Sequence, residues 1–247
     1  MICFSTHHRC GMVMTRNLLT DICKKRGLEF LKVDSEQKLH PGAPPISKRI
    51  IQNTHGYKLI DLGIDDLKNV HIIRNPYDLL YSHIMYHSKS ESPQEPCNFL
   101  VIEGKSYREH LNSLTSLDEK ANFEINNIFG RFTLKRMLEF DYSSPNSLHL
   151  LIEQFNAESA EKTASLIHNH FKTDLISETD ILEGINSSNR IFKTINHGTS
   201  STINLDRKPA KDLFDHSIVE TIEKKFPEVQ IFEAFCSEKL NNLNFTK

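Results

Sequence analysis

Two short stretches gather residue types that bind anions. The first is Ile2 to Met14, ICFSTHHRCGMVM, in which an apolar run meets His7, His8, Arg9, Cys10 and Gly11 and then a helix-like segment. Unpaired N–H groups at a helix N-terminus favour a phosphate, an arginine adds a charge-assisted contact, and a glycine lets the backbone come close. An ordinary strand-to-helix turn with exposed polar residues accounts for the same letters. The Walker A spacing G-x-x-x-x-G-K-[ST] is absent, which argues against a kinase. The second stretch is Val70 to His83, VHIIRNPYDLLYSH. A buried strand ends at Arg74, Pro76 suits a first helical turn, and Ser82 follows Arg74 by eight residues. A guanidinium and a hydroxyl placed this way can converge on one phosphate. The alternative is a local Arg74–Asp78 ion pair, with Ser82 a polar helix residue. Between the two stretches lies Arg49 to His55, RIIQNTH. It ends at His55, one of 13 histidines, which can fall in a strand-following loop by chance. His7 and His8 read as residues that shape the first turn.

Short apolar runs alternating with helical patterns must hold these residues in place. Strands are expected at 2–5, 28–33, 48–52, 70–73 and 148–152, the last preceded by a turn at Pro145-Asn146. Helices are expected at 11–26, 76–86, 107–140, 160–171, 210–226 and 231–240. Residues 39–46, 88–105 and 185–206 read as loops, the last because it is rich in Ser, Thr and Asn. This pattern implies an α/β fold, a central parallel sheet flanked by helices, with a helical C-terminal third and a single domain over residues 1–247.

Composition narrows the function. The 30 Lys and Arg nearly balance the 32 Asp and Glu, so no general field favours nucleic acid or a membrane surface, and any anion site must be local. Five cysteines without C-x-x-C spacing argue against a zinc site or a disulfide framework. No apolar run approaches ~18 residues and no secretory segment precedes the first strand, so with Met1 as the natural start a cytoplasmic protein is expected.

The two anion-binding stretches together resemble the sulfotransferases that use 3′-phosphoadenosine 5′-phosphosulfate (PAPS). Arg9-Cys10-Gly11-Met12-Val13-Met14 is similar to that family's K-[SAC]-G-T-T/V-W loop, which grips the 5′-phosphosulfate. Arg74 to Ser82 matches its R-[DN]-P-x-D-x-x-x-S element, which grips the 3′-phosphate. Arg49 to His55 is similar to its R-x-I-K-T-H segment, and Asn146 to Phe155 resembles the later strand that usually ends R-Y-E-D-L. The resemblance covers roughly residues 1–175. It implies a P-loop-like sulfotransferase fold and sulfuryl transfer from PAPS to a hydroxyl or amine, leaving adenosine 3′,5′-bisphosphate (PAP), with no metal. His55 would be the base. Arg9, in place of the usual lysine, would stabilise the leaving phosphate but could not donate a proton. The cofactor would be held by Arg9, Cys10, Gly11, Met12, Val13, Arg74 and Ser82, with main-chain N–H groups of residues 10 to 13 facing the phosphosulfate.

Three departures qualify what the resemblance implies. The loop threonine is Met12 and the tryptophan Met14, which removes a hydroxyl contact. The tyrosine of R-Y-E-D-L falls at Ile152, unless the strand is instead Met137 to Asp141 with Phe140 as the aromatic. For the C-terminal R-K-G clamp the candidate is Arg207-Lys208-Pro209, with Asn196-His197-Gly198 as a weaker match. The alternative function is therefore a sulfotransferase-like protein that binds the nucleotide, or an interaction partner, without catalysis. The acceptor, a small molecule or a glycan, is expected to meet residues 35–47 and 83–120. The oligomeric state is not legible.

Overall fold

The structure is a computed structural model that describes residues 2–34, 48–58, 67–91, 93, 95–194 and 209–244. In chain order the elements begin β1 (Ile2–Thr6), α1 (Met12–Arg26), β2 (Glu29–Val33), β3 (Arg49–Asn53), β4 (Asn69–Ile73) and α2 (Pro76–Lys89). They continue with α3 (Pro96–Phe99), β5 (Val101–Ile102), β6 (Lys105–Ser106), α4 (Tyr107–Ser113), α5 (Leu117–Asn126), a π-helical stretch (Phe129–Leu134) and α6 (Lys135–Leu138). The last are β7 (Ser147–Leu151), a 3-10 turn (Ile152–Phe155), α7 (Ala160–Phe171), α8 (Glu178–Thr194), a second 3-10 turn (Ala210–Leu213), α9 (His216–Lys225) and α10 (Val229–Asn244). Contacts divide the chain into two compact units, one of residues 1–74, 139–195 and 236–247 and one of residues 75–138 and 196–235.

The first unit holds a parallel sheet of five strands in the order β2-β3-β1-β4-β7. Its two faces differ in chemistry. Phe4, Ile50, Val70, Ile72 and Leu150 form one face and join the core shared with α1, α7 and α8. The side chains between them, two residues apart, point the other way. The register there aligns Asn53 with Ser5, Ser5 with His71, and His71 with His149, a polar row across four strands. Every member is buried. The row is held by its own hydrogen bonds: the Asn53 amide donates to Ser5 Oγ (3.2 Å) and Ser5 Oγ donates to Asn69 Oδ1 (3.0 Å).

The second unit is mostly helical. Asn75 caps α2 through its side-chain oxygen, which accepts from Tyr77 N at 3.0 Å, and Pro76 occupies the first turn. Ser106 and Ser116 make reciprocal capping boxes with Glu109 and Glu119. These two starts and the π-helical stretch divide the single helix expected over 107–140 into separate elements.

The strands agree with expectation to within a residue at most ends, and Ser147–Leu151 rather than Met137 to Asp141 is the last strand. One loop expectation is overturned. Residues 185–194 are the second half of α8, whose Ile181 and Ile185 are buried in the core and whose Ser188 Oγ donates to Met14 O at 3.3 Å. Packing against α1 overrides the polar composition. Within 88–105, a loop by expectation, lie α3 and the β5–β6 hairpin.

Candidate active site

Three candidate segments leave the C-terminal ends of three neighbouring parallel strands. His55 follows β3, Arg9 to Gly11 follow β1, and Arg74 follows β4. Adjacent strands lie about 4.8 Å apart, so the order β3-β1-β4 sets these segments side by side. The loops beyond such strand ends are where open α/β sheets bind ligands.

The turn after β1 is tight. Cys10 N donates to His7 O at 2.9 Å, and Arg9 and Gly11 both have left-handed backbones, with φ of 65° and 74°. A Cβ at Gly11 would lie 2.2 Å from Ile152 Cδ1, so a glycine is required for space as well as for conformation. Helix α1 starts immediately after. It has no side-chain cap and no acidic residue in its first turn, and Gln52 Nε2 donates to Met12 O at 2.7 Å, which ties that start to β3. Met12 is half-buried and Val13 exposed. The Cys10 N–H is thus committed within the turn, and the amides of Gly11, Met12 and Val13 are the ones this helix start offers to an anion. Burial pushes the Cys10 thiol up to about 12, against the opposing pull of the Arg74 guanidinium.

The turn that carries His55 is closed by reciprocal bonds. The Asn53 amide donates to Tyr57 O at 2.8 Å and Tyr57 N donates to Asn53 Oδ1 at 3.1 Å. Thr54 anchors it to β2, its N and Oγ1 donating to Val33 O at 2.9 and 3.0 Å. His55 is half-buried, with its ring edge-on to Tyr57 at 6.1 Å between centroids.

Arg74 is buried, 3% exposed, and its Nε lies 3.4 Å from Glu153 Oε1. Glu153 follows β7, the neighbour of β4, so the pair links adjacent strand ends. Glu153 is a partner of Arg74 that motif spacing does not single out. Its signal was the glutamate of R-Y-E-D-L, one position past the tyrosine placed at Ile152. Ile152 itself is 1% exposed in the apolar core, which excludes it from stacking on an adenine in this conformation.

Ser82 belongs to the second unit, on α2, and is buried. In the same unit His87 Nδ1 lies 2.6 Å from Glu124 Oε1, and both side chains are buried. Burial and the charge of the neighbouring Glu124 raise the Tyr107 hydroxyl well above the ordinary tyrosine value. Arg207 and Lys208, the Asn196-His197-Gly198 match and the acceptor segment 35–47 lie outside the described residues. No described helix is long and apolar enough to cross a membrane.

No protein-family model matches the sequence. No curated protein sequence matches it either. Solved structures do match. Mouse sulfotransferase SULT7A1 complexed with PAP aligns with a TM-score of 0.63 at 12% identity, over 98% of this chain and 88% of that one. Retinol dehydratase in complex with androsterone and inactive cofactor PAP aligns with a TM-score of 0.52 at 15% identity, over 92% of this chain and 80% of that one. The parallel sheet flanked by helices, with its basic turn after the central strand, is the sulfotransferase fold.

Proposed function

We propose that the protein transfers a sulfuryl group from PAPS to a hydroxyl or amine of an acceptor. The observation that carries this reading is the convergence of His55, the Arg9–Gly11 turn and Arg74 at adjacent strand ends of a sulfotransferase fold. The residues present fit a nucleotide with two anionic groups. An uncapped helix start free of carboxylates, beside two guanidinium-bearing segments, favours anion binding. Sulfuryl transfer requires an in-line nucleophile and stabilised charge on the leaving oxygen. Arg9 and the amides of residues 11–13 face that charge, and Arg74 holds the 3′-phosphate. Glu153 fixes the Arg74 guanidinium between strand ends. His55 takes the proton from the acceptor. The acceptor is a small molecule or a glycan.

A second reading, nucleotide binding without transfer, draws on Met12 in place of the loop threonine and on the burial of Ile152. One experiment separates the two. PAP binding is measured by calorimetry on wild type, Arg74→Ala and His55→Gln, followed by an acceptor screen with labelled PAPS. The enzyme reading expects at least tenfold weaker PAP binding in Arg74→Ala, with near-normal binding but no transfer in His55→Gln. PAP binding with no transfer to any acceptor supports the second reading. No binding to wild type overturns both.

A further inference from the structure

Helix α2 carries two histidines one turn apart, His83 and His87, and both are buried. Side chains at i and i+4 lie one above the other on the same face of a helix. Here the two rings meet edge to face, at 81° with centroids 5.1 Å apart. A ring nitrogen of each lies within 4.8 Å of one on the other. Aromatic side chains of the same unit wall the pair. Phe129 meets the His83 ring edge-on at 5.3 Å, and Tyr107 meets the His87 ring edge-on at 5.5 Å between centroids. Placing two imidazoles in such surroundings costs free energy unless their nitrogens are engaged.

The third member of the group is Glu124, on α5. Its side chain is fully buried, and its Oε1 lies 2.6 Å from His87 Nδ1. An ionised carboxylate only accepts, so His87 Nδ1 carries a hydrogen and donates it. In the neutral ring the lone pair then sits on Nε2, at the opposite edge. A carboxylate that holds one ring nitrogen and leaves the other to coordinate is how proteins orient metal-ligating histidines. Two histidines spaced i, i+4 on one helix face are likewise a zinc-binding arrangement.

We propose that His83 and His87 bind a divalent transition-metal ion of the zinc class, with Glu124 as the positioning residue for His87. The proposal goes beyond sulfuryl transfer and does not rest on it. Imidazole nitrogens suit zinc, whereas magnesium and calcium take oxygen ligands. Zinc–nitrogen bonds of about 2.0–2.1 Å place two ligands of one ion up to about 4 Å apart, so a modest ring rotation brings the pair onto it. The remaining ligands are water or donors beyond these three residues. Because the pair is buried, the ion enters as the helical unit folds or opens, and its binding adds to the stability of the folded form.

The test uses full-length protein without an affinity tag, stripped with a chelator, unfolded, and refolded with zinc or cobalt(II). After dialysis, wild type should retain one zinc ion per chain by mass spectrometry of its metal content. Its thermal midpoint should rise with zinc and not with magnesium, and the cobalt form should show the visible absorption of a low-coordinate site. His83→Asn and His87→Gln should each weaken zinc binding at least a hundredfold, and Glu124→Gln about 10–100-fold. Wild type that refolds free of zinc overturns the site. Zinc retained equally by His83→Asn and His87→Gln also overturns it, since the ion then sits elsewhere. Where a variant does not fold, X-ray absorption of zinc-loaded wild type decides: two imidazoles should surround the ion, and a shell of oxygens alone overturns the proposal. PAP binding by calorimetry on the same preparations tests sulfuryl transfer separately, and its loss leaves the metal result standing.

Discussion

Acid should weaken this fold well above the pH at which carboxylates titrate. Burial, aided by Lys239, pushes His149 down to about 4, and burial holds His71 well below 6.5. Both groups bind protons more readily in the unfolded chain, where the histidine value is about 6.5. Stability is therefore fully present above pH 6.5 and falls as the pH drops below it. For His149 the fall levels off near pH 4, its folded value. At pH 5 His149 has lost about 2 kcal/mol, close to the 1.36 kcal/mol per pH unit that proton linkage sets over about 1.5 units, and His71 shifts stability in the same direction. The His149 loss alone is a large share of a typical 5–15 kcal/mol. Urea unfolding at pH 7.5, 6.5, 5.5 and 5.0 measures it. His149→Leu should flatten the fall between pH 7 and 5 by about 2 kcal/mol. A midpoint that holds steady from pH 7 to 5 in wild type would refute the buried, neutral state of His71 and His149.

Further outcomes follow from other features. Gly11→Ala forces a Cβ into a left-handed backbone and against Ile152, and should cost about 2–4 kcal/mol by urea unfolding; a loss under 1 kcal/mol would contradict the tight turn. Burial works to raise the Asp180 carboxyl, but hydrogen bonds from Arg26, Ser177 and Lys25 outweigh it and hold it below the ordinary value. Asp180→Asn should therefore lose about 1–2 kcal/mol at pH 7, with the difference vanishing as the pH falls through the carboxylate range; equal stability at pH 7 would show that the cluster contributes nothing. Burial pushes the Cys3 and Cys10 thiols up to about 12, so neither should react with an aromatic disulfide reagent at pH 8 before unfolding, and a fast-reacting Cys10 would mean that Arg9 and Arg74 activate it.

Much of the scaffold was legible because period and punctuation agree with packing. Helix α7 matches its expected span, Ala160–Phe171, and the strand ends shift by a residue or so. Helix α8 was hidden because Ser, Thr and Asn lower local propensity, while Ile181 and Ile185 on its buried face decide the outcome. Arg9 and Arg74 stood out in the two anion-binding stretches and His55 through the resemblance, and strand order sets all three at neighbouring strand ends. Glu153 had only the glutamate of R-Y-E-D-L as a signal, because an ion pair across neighbouring strand ends has no spacing rule. The pairing of His71 with His149 was hidden as well. The two sit 78 residues apart, and only strand register brings them opposite each other.

The polar row across the sheet also acts on how the chain selects its pairing. A strand slipped by one residue exchanges its two faces. If β4 slipped, His71 would enter the aliphatic layer and Ile72 would face Ser5 and the imidazoles. Each buried polar group stranded in this way costs about 1–3 kcal/mol. An all-aliphatic sheet would tolerate several alignments of similar energy. Here Asn53, Ser5, His71 and His149 form a four-part lock with one matching alignment, so mispaired chains are penalised before any ligand is met.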